Sequence, residues 1–591
     1  MQGPAWGGEV RVLTTANQHP SGASATVSRW RPRGKRLGEG ARRMPYRSLT
    51  QCSFFDPEFV EPNCLKAGSV PWLLARHRSH LFPAWLFAGW RGEGVRGRKA
   101  WPAVVLATLW LLRWVEEGMS RVASVRRAST DAEWRAALGL CFGVSPPSER
   151  TLRDFERFLS SRHPASGTPR YLVLHEHVVR LCLSEGGATD EALWAMDSTP
   201  MWCYGAVKDT VRLLGDGLRT LGCRWARATR TSLLEVAKAW SLPLLLAKST
   251  KGALPVDWHR AEERARAVDG LAREVVRVVG LVQRDVSTAR PSLQKGLLRL
   301  CRNLLRVVRD DLETDEQGRL VVARRVARDR LVSLLDPQAR HGRKSRSRRF
   351  NGFKLHVLGD VVSGLLAAVT VTAGNEHDGT PAPRLVRRAQ ALCESIERVL
   401  ADTAYGGTHL RHRVRETLGV ELLAPPPPEP RAKGERFGKS DFAIDFAKGA
   451  VTCPAGVTTR DYDEYMHAGS GQLARRYKWP VKVCRACPQR AACMGKTKGR
   501  QRLSLHPLEE ELREHREAWS DAEMRTAYRR RSECERLVNE PIRHGARRAR
   551  AWGLGAANRQ AHGIVTVCNL RLLARILAAR ESDEELVVEA V

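Results

Sequence analysis

The stretch 528–539, YRRRSECERLVN, holds the residues of this chain best placed to do chemistry. On a helix each residue turns the chain by roughly 100°. Tyr528, Arg531 and Glu535, three and then four apart, therefore share one face. Met524, Ala527, Cys534 and Val538 fall on or beside that face, which makes it the buried one. An arginine and a glutamate in an apolar stripe are costly unless each is paired or bound to a metal. Two readings follow: an Arg531–Glu535 salt bridge, or a functional glutamate presented by a rigid helix. Glu533 points elsewhere and reads as an ordinary solvated carboxylate. Two more carboxylates close short apolar runs, Asp197 in EALWAMDSTPMW and Asp402 in ERVLADTAYGG. Each is either a turn cap or a site residue, and Asp209 is a weaker rival to Asp197. Four cysteines form a separate group: Cys453 in TCPAG, and Cys484, Cys487 and Cys493 in VCRACPQRAAC. A CxxC turn with two further thiolates supplies a closed tetrahedral zinc site. A redox role requires a CxxC near a βαβ unit, which this stretch lacks.

Tyr, two residues, Arg, three residues, Glu is the Y-R-E signature of a superfamily of bacterial insertion-sequence DDE transposases, and Tyr528, Arg531 and Glu535 resemble it. The superfamily usually adds a basic residue seven places after the glutamate; here Ile542 stands there and Arg543 follows, behind Pro541. VLADTAYGG resembles the strand and turn around the second catalytic aspartate, with Tyr405 and Gly406 in matching places. AMDSTP and the later GAVKDT resemble the surroundings of the first. The resemblance implies an RNase H-like catalytic core in which Asp197, Asp402 and Glu535 are catalytic and hold Mg²⁺ or Mn²⁺. Asp197 would bridge two metals, and Tyr528 and Arg531 would support the glutamate or touch the DNA backbone. Hard oxygen donors suit such ions better than zinc. The implied reaction is metal-dependent cleavage at the ends of an insertion sequence and transfer of the freed strand into target DNA. A homodimer on paired ends is expected on the same ground.

The elements that must position these residues give an α/β fold class: an RNase H-like core with an N-terminal helical domain, a large helical insertion and a four-cysteine zinc-binding insertion. Residues 1–43 are Gly-, Ser- and Arg-rich without periodicity and read as a disordered basic extension, with Met44 a candidate true start. Residues 44–190 read as the helical DNA-binding domain. In it SERTLRDFERF opens with the cap-like Ser148 and turns Arg150, Arg153 and Arg157 outward, opposite Leu152, Phe155 and Leu159. Residues 191–204 carry the first core strand and 205–338 the arginine-dense helical insertion. Residues 339–424 hold the other core strands, with a hairpin over 349–374 turned around Asp360 and Gly364. PPPPEP opens the cysteine-rich insertion, 425–505, as a stiff linker. Residues 506–580 return to the core with the glutamate helix and a last amphipathic helix around GIVTVCNLRLLARIL, and 581–591 form an acidic tail expected to fray.

Lys and Arg number 98 against 64 acidic residues, a net charge of +34. That excess favours polyanions, nucleic acid first. Candidate DNA contacts are Arg150, Arg153 and Arg157, the basic run with Lys344, Arg346, Arg348 and Arg349, the nearby Lys354, and the later strip with Arg543, Arg547 and Arg548. The basic run is expected to be mobile until bound, since each neutralised phosphate releases counterions. A membrane partner is not expected, because the longest apolar run, 104–112, is about half a bilayer span. No secretory h-region opens the chain, and lone cysteines in apolar helices fit a reducing cytoplasm. A nuclease that cuts without joining, and an inactive or domesticated transposase that only binds DNA, are the competing functions.

Overall fold

The computed structural model describes residues 65–90, 100–140, 143–188, 191–325, 327–344, 347–393, 396–429, 437–468, 471–494 and 499–589. The N-terminal extension and Arg346 lie outside them. The fold is mixed α/β. Its main sheet has six strands, the short Arg340–Arg343 and five others: β1 (Trp194–Trp202), β2 (Arg349–Asp360), β3 (Leu366–Ala373), β4 (Arg398–Leu400) and β5 (Glu421–Leu423). The five run in the order β3-β2-β1-β4-β5, and Arg340–Arg343 pairs with the start of β2 on the same side as β3. β2 runs antiparallel to both β1 and β3, whereas β4 lies parallel to β1 and to β5. The expected hairpin over 349–374 is present, closed by the Asp360 carboxylate on the N–H groups of Val362 and Ser363.

Two details differ from expectation. β1 does not end at Asp197 but runs on through Pro200 to Trp202. The proline is tolerated because β4 meets β1 only at Ala195–Leu400, so the missing N–H faces an edge with no ladder to complete. The basic run expected to be mobile is instead partly a hairpin: Arg340–Arg343 pairs with 349–352 at the start of β2, and Lys344 N–H donates to Arg348 O at 2.9 Å. Twelve residues of β2 offer more ladder than β3 uses, and the run takes the remainder.

The expected N-terminal helices α1 (Ala103–Leu112), α2 (Glu149–Leu159) and α3 (Arg170–Ser184) form, but they share one hydrophobic core with the sheet. The insertion has its own core, built on α4 (Thr210–Thr229), α5 (Ala261–Asp285) and α6 (Pro291–Asp311). Its base is pinned by Asp311, which accepts hydrogen bonds from Thr210 at 2.9 Å and Arg330 at 2.8 Å. The cysteine-rich stretch folds as two small three-stranded sheets with a third core around Phe442, Tyr477 and Trp479.

The last helix, α7 (Leu554–Glu589), is not amphipathic as expected. From Ala561 to Leu570 every residue is buried, because the helix lies between α3 and β3. Residues Leu554–Ser582 are long and apolar enough to cross a membrane by composition, but 78% of the apolar window is inside the fold. Two asparagines on α7 complete the outer edge of β3. Asn569 bonds both the N–H and C=O of Leu366 at 3.0 Å, and Asn558 bonds those of Val371 at 2.9 and 3.1 Å. Five strand residues at about 3.3 Å and eleven helical residues at about 1.5 Å span the same ~16.5 Å. Helix and strand thus stay in register.

Candidate active site

Asp197 sits at the middle of β1, opposite Val357 of β2. Its side chain is 15% exposed. Asp402 follows β4 by two residues and caps a 3-10 turn, Thr403–Tyr405, its carboxylate accepting from Ala404 N–H at 2.9 Å. It is therefore a cap as well as a site candidate. The sheet brings the two aspartates together because β1 and β4 are parallel neighbours. Burial raises the Asp197 carboxyl above its usual range, the Arg531 guanidinium opposes that, and the Asp402 charge adds to it. Burial likewise raises Asp402, with Asp378 adding a second like charge. Two crowded hard-oxygen acids of this kind suit a divalent cation, which would relieve both burial and repulsion.

The signature residues reach these aspartates. Arg531 Nη2 lies 3.1 Å from Asp197 Oδ2, with only 17% of its side chain exposed. Tyr528 OH donates to Ala401 O at 3.1 Å, one residue before Asp402. The Tyr528 ring stands edge-on to Trp519 at 4.9 Å. No Arg531–Glu535 salt bridge forms among the described residues, since Arg531 is occupied by Asp197. Glu535 is exposed. Among the described residues no group of three or more His, Cys, Asp or Glu side chains is placed to hold a metal ion. The donor chemistry of the two aspartates fits the ion, while the glutamate stands apart.

The reason is local. The stretch is not one helix but an α-helix over Ala522–Arg529, a 3-10 segment over Arg530–Cys534 and a second α-helix over Glu535–Pro541. Four residues of α-helix advance the face by ~40° net, whereas four of 3-10 helix advance it by ~120°. Glu535 is carried off the face of Arg531 by that difference. Met524 remains half-buried and Cys534 and Val538 buried, but Ala527 is exposed. Glu533 pairs with Arg530 at 3.3 Å and Arg536 at 3.6 Å, as a surface carboxylate does.

A buried polar chain not anticipated from the sequence lies under the aspartates. His356 on β2 meets Thr372 Oγ1 at 2.9 Å and Tyr405 OH at 3.5 Å, and Tyr405 in turn hydrogen-bonds Ser198. Tyr405 is three residues from Asp402 and Ser198 one from Asp197, so the chain ties both aspartate segments to β2 and β3. The polar positions 354, 356 and 372, alternating along β2 and β3, were the only available signal. Lys354 does not face outward. Its ammonium donates to Asp378 Oδ1 at 2.5 Å and Glu376 O at 2.8 Å. Asp209, the rival aspartate, caps α4 by accepting from Arg212 N–H and pairs with Lys251 at 3.0 Å.

The other basic candidates divide in two. Arg547 donates to Thr199 at 3.2 Å, and the strip bearing it and Arg548 is bonded along the open edge of β1 by Trp202 N–H to Arg547 O and Ala549 N–H to Trp202 O. Lys344 is near enough to favour the Asp197 charge, and Arg348 and Arg349 are exposed on the same hairpin. Arg150, Arg153 and Arg157 point outward as expected, but Arg153 faces Glu149 and Arg157 pairs with Asp154. Arg543 pairs with Glu540 at 3.6 Å.

Cys453, Cys484, Cys487 and Cys493 line one cavity of about 270 Å³ with Val457, Trp479 and Arg490. None is in a disulfide. Burial and the three neighbouring thiols push Cys493 up to about 11. Among the described residues the four thiols are not drawn together as a metal-holding group.

Comparison with known proteins gives one family. Residues 452–574 match the family described as the transposase DDE domain. That span opens at the cysteine module, contains the signature helix and closes in α7, leaving Asp197 and Asp402 upstream. No curated protein and no solved structure matches the chain. Residues 452–574 are thus similar to a transposase DDE domain, and within that span Tyr528 and Arg531 are seated on the two strand-aspartate segments.

Proposed function

We propose that the protein is a transposase that cleaves DNA at the ends of an insertion sequence and transfers the freed strand into target DNA. The observation that carries this reading is the contact of Arg531 with Asp197 and of Tyr528 with the carbonyl next to Asp402. It unites the family's matched segment with two carboxylates far upstream. The strand order β3-β2-β1-β4-β5, with β2 antiparallel, supports an RNase H-like core.

Asp197 and Asp402 would hold Mg²⁺ or Mn²⁺, and Glu535, which faces solvent here, would have to turn inward to become their third partner. When bound, such ions activate the attacking oxygen and stabilise the leaving 3′ oxygen of an in-line displacement. Arg531 orients Asp197, Tyr528 fixes the turn that carries Asp402, and the His356–Tyr405 chain holds both segments against β2. Arg547, Arg548 and Arg349 provide phosphate contacts at the edge of β1. The four cysteines close on a structural zinc ion, which metal analysis of the purified protein reads directly; zinc-free protein with four reactive thiols would reject it.

The test is cleavage and joining of a labelled fragment carrying the element's own ends, with Mg²⁺ or with EDTA. Wild type is expected to join in Mg²⁺ only. Asp197→Asn, Asp402→Asn and Glu535→Gln should lose cleavage while retaining DNA binding, and Glu533→Gln should stay active. Cleavage by Asp402→Asn would sink the assignment. Cutting without joining in wild type would identify a nuclease instead.

A further inference from the structure

β1 ends in Trp202, and the chain just beyond it exposes aromatic surface that no core uses. Trp202 is 40% exposed, Tyr204 50% and Trp552 49%. Among the described residues only Trp85 and Tyr462 are comparably exposed aromatics, so three of five gather at one place. The Tyr204 and Trp552 rings meet edge-on at 5.8 Å, and Trp202 stands edge-on to the buried Phe350 at 6.3 Å. The backbone bonds between Trp202 and 547–549 fix the two segments to each other. Arg548 bridges to Trp202, Arg349 precedes Phe350, and Arg343 lies opposite Arg349. All three arginines are exposed, and none is in an ion pair among the described residues. Aromatic rings among unneutralised arginines match the faces and phosphates of nucleic acid.

We propose that Trp202, Tyr204 and Trp552 form a stacking platform for unpaired bases of a DNA strand led past Asp197. The platform begins five residues along β1 from that aspartate, roughly 17 Å at 3.3 Å per residue, and on the other face of the strand, so the DNA strand would pass around the end of β1 to reach it. That distance is on the order of five nucleotides of a duplex strand. Bases freed from pairing near the cleavage point would stack there while Arg343, Arg349 and Arg548 hold the backbone. The proposal rests on the transposase reading above, and its test is separable from it.

The full-length chain is titrated into a blunt duplex and into the same duplex with an unpaired 3′ oligothymidine tail containing 2-aminopurine. Wild type is expected to bind the tailed probe about tenfold more tightly per stacked base and to quench the 2-aminopurine. Tyr204→Ala and Trp552→Ala should lose the gain and the quenching with blunt-duplex affinity unchanged, and Trp552→Phe should keep most of both. Asp402→Asn should keep the tail preference while losing cleavage. Equal wild-type affinity for both probes, or a gain that survives the Tyr204→Ala/Trp552→Ala double variant, overturns the platform and leaves the transposase reading standing. Failure to bind either probe overturns both. A change of oligomeric state on Trp552→Ala would mark the patch as a protein interface and overturn the platform.

Discussion

At the scale of single residues, Arg531 is the pivot of the site. Its guanidinium is the positive charge nearest the crowded Asp197 and Asp402 carboxyls, and both members of the pair are largely shielded from water. Arg531→Ala leaves Asp197 buried beside a like charge, so stability should fall by about 3 kcal/mol in chemical denaturation. Millimolar Mg²⁺ should restore part of that loss in the variant and stabilise wild type less, because the ion replaces the missing charge. An unchanged midpoint in Arg531→Ala would mean that the ion pair carries no weight. The same residue explains why the glutamate stands apart: the 3-10 segment that seats Arg531 on Asp197 turns Glu535 toward solvent.

At the scale of elements, the register between α7 and β3 is the clearest determinant of order. An uncovered edge strand offers unpaired backbone to other chains. Asn558 and Asn569 fill that edge at two points, with spacing set equally by helix rise and strand rise. Asn569 is fully buried, so Asn569→Ala strands the Leu366 N–H and C=O. The expected loss is about 2–4 kcal/mol, with increased aggregation on heating, read by denaturation and light scattering. The turn after β4 is fixed by a close approach: a Cβ at Gly406 would lie 1.9 Å from Pro425 O. Gly406→Ala must therefore move the turn that carries Asp402, and cleavage should drop sharply while DNA binding stays within about twofold.

At the scale of the whole molecule, buried histidines set the response to acid. Burial lowers His175 and His515 from 6.5 to about 4 each, and His77 likewise, with Arg76 contributing. Unfolding returns them to ordinary values, so between pH 6.5 and 4 the unfolded chain binds more protons. Their contribution is complete above pH 6.5 and is lost as pH falls toward 4. Thermal midpoints should be flat above pH 7 and decline steadily below 6.5; a flat profile down to pH 5 would contradict the burial of these rings. α1–α3, the sheet and α7 share one hydrophobic core, and the insertion has a separate one.

Much of the layout was legible before folding because it depends on local rules. The 349–374 hairpin follows from apolar alternation broken at Asp360 and Gly364. The outward arginines of α2 follow from helical period behind the Ser148 cap. The long helices of 205–338 follow from their apolar faces. The aspartates could be nominated by their place after apolar runs, but only the parallel pairing of β1 with β4 brings them together across the chain. The seating of Tyr528 and Arg531 depends on a partner more than a hundred residues away, and the break into 3-10 helix carries no sequence mark. Whether α7 is amphipathic was likewise settled by tertiary packing, since its polar residues read as an exposed face until Asn558 and Asn569 turn out to be spent on β3. Chain-local periodicity and charge determined the elements and the basic excess that favours a polyanion; the site itself was decided by contacts between distant segments, which no local pattern records.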